Sequence, residues 1–197
     1  MNLSAGLLPP TNMKLNTGHG NASDDRLERQ LLERIAHRDR EAFDEMFKLY
    51  HPRLFRFVFR MTASYRIADE LVNDILLVVW QSAHTFRGDA KVSTWIFGIA
   101  YRQALRQLRK RKYTTVPMAD DFTDDGDSNS RLEREDWVRR GIDKLPPKQR
   151  LTVMLVYYLG LTCEEAAVAT GAPVNTIKTR MFHARRKLRE YLEDDSE

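Results

Sequence analysis

Apolar residues recur every three to four positions over most of the chain, and nowhere alternate long enough to read as a strand. In REAFDEMFKLY, Ala42, Phe43, Met46, Phe47 and Tyr50 follow Asp39, an N-cap candidate. Ile67–Gln81 is apolar around most of its circumference. Next comes VSTWIFGIAYRQALRQLRKR, with an apolar stripe of Ile96, Phe97, Ala100, Tyr101, Ala104, Leu105 and Leu108. Ser93 is placed to cap that helix, which is expected to run to Arg111. Further on, Thr162 and Glu165 have capping-box spacing and start a helix at Cys163. Gly171 stops it and Pro173 opens the next, whose stripe is Val174, Ile177, Met181, Ala184 and Leu188. The pattern predicts an all-α protein.

Two breaks divide it. Residues 1–23 are rich in Asn, Gly, Pro and Ser without periodicity, and read as a flexible tail. ADDFTDDGDSNS (Ala119–Ser130) is acidic and nearly free of apolar residues, which makes 113–130 an acidic flexible linker. Two small helical domains result, 24–112 and 131–193. The second is close to the size at which a chain buries only about 60% of its surface.

Composition narrows the class. Lys+Arg 32 against Asp+Glu 28 gives a net charge of +4, which says little until the charges are placed. A single cysteine, Cys163, excludes an internal disulfide framework and fits a reducing cytoplasm. MNLSAGLLPPTNMK lacks the basic start and apolar core of a signal peptide. The apolar run Leu151–Cys163 falls short of the roughly 20 residues of a membrane span. A cytoplasmic protein without membrane insertion is expected. His37, His51 and His84 are scattered, there is no HExxH, CxxC or Gly-rich phosphate loop, and His183 has no second ligand at i+4. No catalytic residue, metal or cofactor is therefore expected, and the chain reads as a non-enzyme.

Three helical faces carry chemistry. On the last helix, at about 100° per residue, the face opposite the stripe holds Asn175, Thr176, Thr179, His183 and Arg186. Lys178, Arg180, Arg185 and Lys187 flank it. Short polar side chains suit base edges and basic flanks suit phosphates, so a helix-turn-helix reading duplex DNA is expected. An amphipathic surface helix would share the partition but not the capping box and turn glycine. Phe182 falls on the wetter side, as a partner contact or the edge of the core. The second face belongs to Trp95, which leaves the apolar stripe to join Ile99, Arg102, Arg106 and Arg109. An aromatic beside arginines suits stacking on unpaired bases. Packing under a neighbouring element, with arginines favouring a helix C-terminus, is the alternative. The third is a ridge of Glu70, Asp74, Leu77 and Gln81 at i, i+4, i+7 and i+11, which suits a basic protein partner or is simply a solvated stripe.

Taken in series, REAFDEMFKLY, ADELVNDILLVVW, FRGDAKVSTWIFGIAYRQAL, LPPKQRLTVMLVYYLGLTCEEAA and VNTIKTRMFHARRKLR resemble an extracytoplasmic-function (ECF) sigma factor of bacterial RNA polymerase. The resemblance spans Asp39–Lys112 and Leu145–Leu192. It implies a sigma region 2-like bundle and a sigma region 4-like helix-turn-helix, and a factor that directs polymerase core to promoters. It further implies that Asp69, Glu70, Leu71, Asn73, Asp74, Leu77 and Gln81 bind the β′ clamp helices. Arg87, Lys91, Ser93, Thr94, Trp95, Arg102, Arg106 and Arg109 would bind and open the −10 element. Asn175, Thr176, Lys178, Thr179, Arg180, His183, Arg185 and Arg186 would read the −35 element while their domain rests on the β flap. Promoter DNA and an anti-sigma factor are the other implied partners. Asn73-Asp74 stands where Gln-Glu is usual, and Ala166 and Thr170 where larger aliphatics are common, implying a looser helix-turn-helix core. A stand-alone repressor would instead need a dimer or sensor face in 24–112. A protein-binding adaptor would be indifferent to Arg180 and Arg186.

Overall fold

The computed structural model describes residues 22–62, 64–113 and 140–194; the tail and linker readings lie almost wholly outside them. Among the described residues every regular element is a helix.

Helix α1, Ala22–Ala36, buries Leu31, Leu32 and Ile35. It ends in a turn where Arg38 adopts a left-handed conformation (φ 68°) and lays its guanidinium over the Trp80 ring, 5.5 Å from the centroid. Asp39 caps α2, Arg40–Thr62, by accepting the Ala42 N–H at 3.1 Å, and also accepts from Arg34 Nε at 2.8 Å. Those two donors hold its carboxyl below the usual carboxylate range. Ser64 caps α3, Tyr65–Ser82, by accepting from the Ile67 N–H. Ala68, Leu71, Val72, Ile75, Leu76 and Val79 of α3 are buried. Helix α4, Val92–Tyr113, completes the first unit. It begins one residue before the expected cap, because the Lys91 carbonyl takes the Trp95 N–H at 3.1 Å; Ser93 lies inside the first turn instead of capping it.

In the second unit a helical stretch over residues 140–143 precedes α5, Pro147–Val153, where Pro147 occupies a first-turn position that needs no N–H. The helix widens into a π-turn over Met154–Tyr158, closed by the Leu159 N–H on the Met154 carbonyl. Helix α6, Cys163–Thr170, has the expected capping box, with Thr162 and Glu165 bonded reciprocally. Gly171 ends it at φ 66°. Helix α7, Val174–Asp194, packs Ile177, Met181 and Ala184 inward over α5 and α6.

The two units are in contact. Helix α6 lies along α4, and α5 touches α4 as well, so one continuous apolar core runs through both. The backbones approach closely at Gly98, where a Cβ would meet the Ala169 carbonyl oxygen at 2.8 Å. A helix interior normally disfavours glycine by roughly 1 kcal/mol relative to alanine. Here glycine is what lets two backbones meet. Small Ala166, Ala167 and Ala169, all buried, keep α6 slim enough to fit. Docking also explains why Ile99, on the arginine side of α4, is 3% exposed rather than open to water.

Gly98→Ala is expected to have opposite local and global effects. The first unit gains helix stability, by about 1 kcal/mol at most. The docking is wedged open, because the obstacle is backbone and cannot rotate aside. Small-angle scattering should record a larger radius of gyration for the variant, and unchanged scattering would show that the contact yields.

Candidate nucleic-acid and polymerase interface

The α3 ridge is present as a surface. Glu70, Asn73, Asp74, Leu77 and Gln81 are exposed, and Leu77 keeps 51% of its area in water. Asp69 is partly exposed, whereas Leu71 points into the bundle at 8% exposure. Leu71 lies about 100° round the helix from Glu70, which carries it from the ridge to the core side. Glu70 carries an exposed pair with Arg66 at 3.2 Å, which holds it only weakly. A shallow cleft beside the ridge, about 510 Å³, has a second wall on α2 formed by Arg40, Phe43, Asp44 and Phe47, with Trp80 beside Leu77. Phe43 meets Trp80 edge-on, with centroids 5.2 Å apart. Phe43 and Phe47 share the helical spacing of Ala42, Met46 and Tyr50. Only Ala42, Met46 and Tyr50 of that set are buried, and the two phenylalanines rim the cleft instead.

Around Trp95 the arrangement is less open than an isolated helix implies. The indole is partly buried and meets Phe86 edge-on, 5.7 Å between centroids. Arg29 of α1 builds the approach to it: its guanidinium donates to the Ala90 carbonyl at 2.9 Å and the Gly88 carbonyl at 3.3 Å, and lies 5.6 Å from the Phe86 centroid. No sequence pattern pointed to Arg29, because its partners lie about sixty positions away. A cleft of about 210 Å³ opens between Phe86, Trp95 and Arg102 on one side and Val168 and Ala169 of α6 on the other. Arg87, Lys91, Arg102, Arg106 and Arg109 are exposed and Ser93 is partly so. Thr94 is 2% exposed and lies at the floor of that cleft.

Lys91 is tied across the interface, its Nζ 2.8 Å from Glu165 Oε1. That bond and the facing charge raise the Lys91 ammonium. Burial alone would push the Glu165 carboxyl up, but Lys91 and the Thr162 N–H outweigh it and hold it below the usual range. The Glu165 share is present above the ordinary carboxylate range and fades as acid carries pH through the lowered folded value. The Lys91 share is present below the ordinary ammonium range and fades as pH rises through the raised one. The tie therefore spans neutral pH.

On α7, Asn175, Lys178, Thr179, Arg185 and Arg186 are exposed, while Thr176, Arg180 and His183 are partly buried. Thr179 spends its hydroxyl on the Asn175 carbonyl, so it presents its methyl group and the oxygen's remaining lone pair. Arg185 Nε donates to the Tyr157 hydroxyl at 2.7 Å, which fixes that guanidinium from the π-turn. Arg186 pairs with Glu190 at 3.5 Å and Lys178 with Glu164 at 3.9 Å. Arg180 turns toward α4: burial pushes the Tyr101 phenol up, and the Arg180 cation opposes it. Phe182 stands 62% exposed beside His183. Lys91 and Arg180, one from each set expected to contact DNA, are thus both engaged at the docked interface.

Comparison with known proteins follows the same division. Residues 46–114 match Sigma-70 region 2 and residues 135–188 match Sigma-70, region 4. The chain is 32% identical over 164 residues to the ECF RNA polymerase sigma factor RpoE of Cereibacter sphaeroides, covering 79% of this chain and 89% of that one. It is 31% identical over 169 residues to the ECF RNA polymerase sigma factor SigM of Mycobacterium tuberculosis, covering 85% and 86%. Its fold is similar to that of the sigma factor RpoE solved with the anti-sigma factor NepR from Bartonella quintana, with TM-score 0.62 and 25% identity over 77% of this chain and 96% of that one. CnrH, solved with the cytosolic domain of CnrY, has the same fold at TM-score 0.67 and 22% identity, over 86% and 99%. With both regions in order, and relatives matched over most of their length, the chain belongs to the ECF family of RNA polymerase sigma factors.

Proposed function

We propose that this chain brings RNA polymerase core to promoters by reading a −35 element as duplex with α7 and capturing unpaired −10 bases beside Trp95. The observation that carries the reading is the pairing of two unlike DNA-facing surfaces in one chain. One is a capped helix-turn-helix with short polar side chains on its second helix. The other is an aromatic pair, Phe86 and Trp95, at the foot of a helix bearing Arg102, Arg106 and Arg109. Separating a base-pair step costs about 1–2 kcal/mol in stacking. One or two aromatic stacks at about 1–3 kcal/mol each, with phosphate contacts, are of the size that offsets it. The chain has no catalytic chemistry of its own in this reading.

The α3 ridge and the cleft beside it serve as the core-binding surface, offering carboxylates and an apolar notch to a basic partner helix. Engaging both promoter elements requires α6 to leave α4, because the docked form sets the duplex reader against the strand-capturing face and occupies Lys91 and Arg180. A partner that favours the docked form would keep the chain off DNA. A solved relative in complex with an anti-sigma factor supports such a partner, and the exposed Phe182 midway along α7 offers it an apolar contact.

Added to sigma-free core polymerase with fragmented genomic DNA, the chain should produce discrete start sites sharing two upstream elements. Silence from folded protein would refute the proposal. Trp95→Ala should leave core binding unchanged and lower open-complex formation by roughly 5- to 150-fold, the loss of one stack; permanganate footprinting reads the bubble. Charge reversal at Glu70 and Asp74 should weaken core affinity roughly tenfold or more, and an unaltered affinity would retire the ridge as the docking surface.

A further inference from the structure

The DNA-facing side of α7 has a neighbour on another helix. Asn175, Thr176, Thr179, Arg180 and His183 line a shallow cleft, and its remaining wall is Gln149 of α5. Gln149 sits in the first turn of α5, its backbone N–H fixed on the Pro146 carbonyl at 2.9 Å. The side-chain Oε1 is buried and accepts no hydrogen bond. Most buried polar atoms in folded proteins are bonded, so an orphan acceptor at the rim of a binding face calls for a reason. Glutamine is one of two side chains whose amide matches the major-groove edge of adenine, accepting from N6 and donating to N7. With its acceptor unbonded in the free protein, that oxygen has no hydrogen bond to break when the amide turns outward to a base.

Nearby groups point the same way. Arg180, which lines the same cleft while its side chain bonds Tyr101 of α4, also has a buried Nη1 without a hydrogen-bond partner. The rest of the α5 turn is anchored: Arg150 pairs with Asp143 at 2.9 Å, and Thr152 donates to the Lys148 carbonyl at 2.7 Å. A polar side chain on an anchored turn, beside a helix that enters the groove, is well placed to read one more base.

We infer that Gln149 is a specificity-determining residue that recognises an adenine at the edge of the duplex element engaged by α7; the inference rests on α7 being the duplex reader. The full chain with core polymerase is tested against promoter fragments carrying a randomised upstream element. Wild type selects adenine at one position, and Gln149→Ala loses that preference roughly tenfold while the other positions keep theirs. Replacing that adenine with 7-deazaadenine weakens wild type but not Gln149→Ala. Gln149→Glu, close in shape and able only to accept, shifts the preference toward cytosine, whose N4 is a donor. A merely structural role would not produce that shift. Selection identical in all three proteins, or a loss spread evenly over every sequence, overturns the inference. Asn175→Ala and Arg186→Ala separate the two levels. If they alter selection and the Gln149 variants do not, only Gln149 falls; if they too change nothing, the reading of α7 falls with it.

Discussion

The contact on which the molecule's arrangement turns is the approach of the α4 backbone to the α6 backbone at Gly98 and Ala169. Two helices can come this close only where neither carries bulk, and α6 is built almost wholly of small residues on that side. The substitutions that seemed to loosen the helix-turn-helix core, alanine and threonine for larger aliphatics, acquire a reason here. Ala166 is fully buried, and Thr170 returns its hydroxyl to the Ala166 carbonyl at 2.8 Å, so that helix closes on itself while staying slim. Volume given up inside the second unit is recovered as contact between the units.

Around that approach the polar groups serve twice. Glu165 satisfies an orphan N–H at the start of α6 and also holds Lys91 of the other unit, so one carboxylate couples helix initiation to docking. Arg29 ties α1 to the loop before α4 and sets the platform on which Phe86 and Trp95 meet. Tyr157 fixes Arg185 from the π-turn of α5. None of these ties is deeply buried. Each is the kind of exposed or half-exposed interaction that exchanges for phosphate or partner contacts at modest cost. Reversible docking is consistent with an interface made of a close backbone approach and a few such exchangeable ties.

The three functional faces differ in how ready they are. The α3 ridge is exposed as it stands, so a partner can dock on it without rearrangement. The α7 face is mostly exposed, with Arg180 drawn aside toward Tyr101. The Trp95 face is the most covered, since α6 forms one wall of its cleft. That order leaves the α3 ridge free and the Trp95 cleft guarded, which, on the proposed function, suits a factor that should not grip single strands before it is loaded.

Local signals determined a great deal by themselves. The capping box at Thr162 and Glu165, the turn at Gly171 and the stripe of α7 are short-range, set by hydrogen bonds and backbone preference within a few residues, and all were legible. So was the α3 ridge, because helical periodicity alone separates it from the core; Leu71 entered the expected set through the motif and not through the wheel. What periodicity could not supply was any contact between distant segments. It placed Trp95 and Ile99 on a face of α4 without knowing that α6 covers that face. It gave Phe43 and Phe47 the same spacing as buried Ala42, Met46 and Tyr50 although they line a rim, and gave no hint of Arg29 or Gln149. A helix wheel knows the angle of a side chain about its own axis. Which angles face water is decided by packing between helices, and that exists only in the tertiary structure.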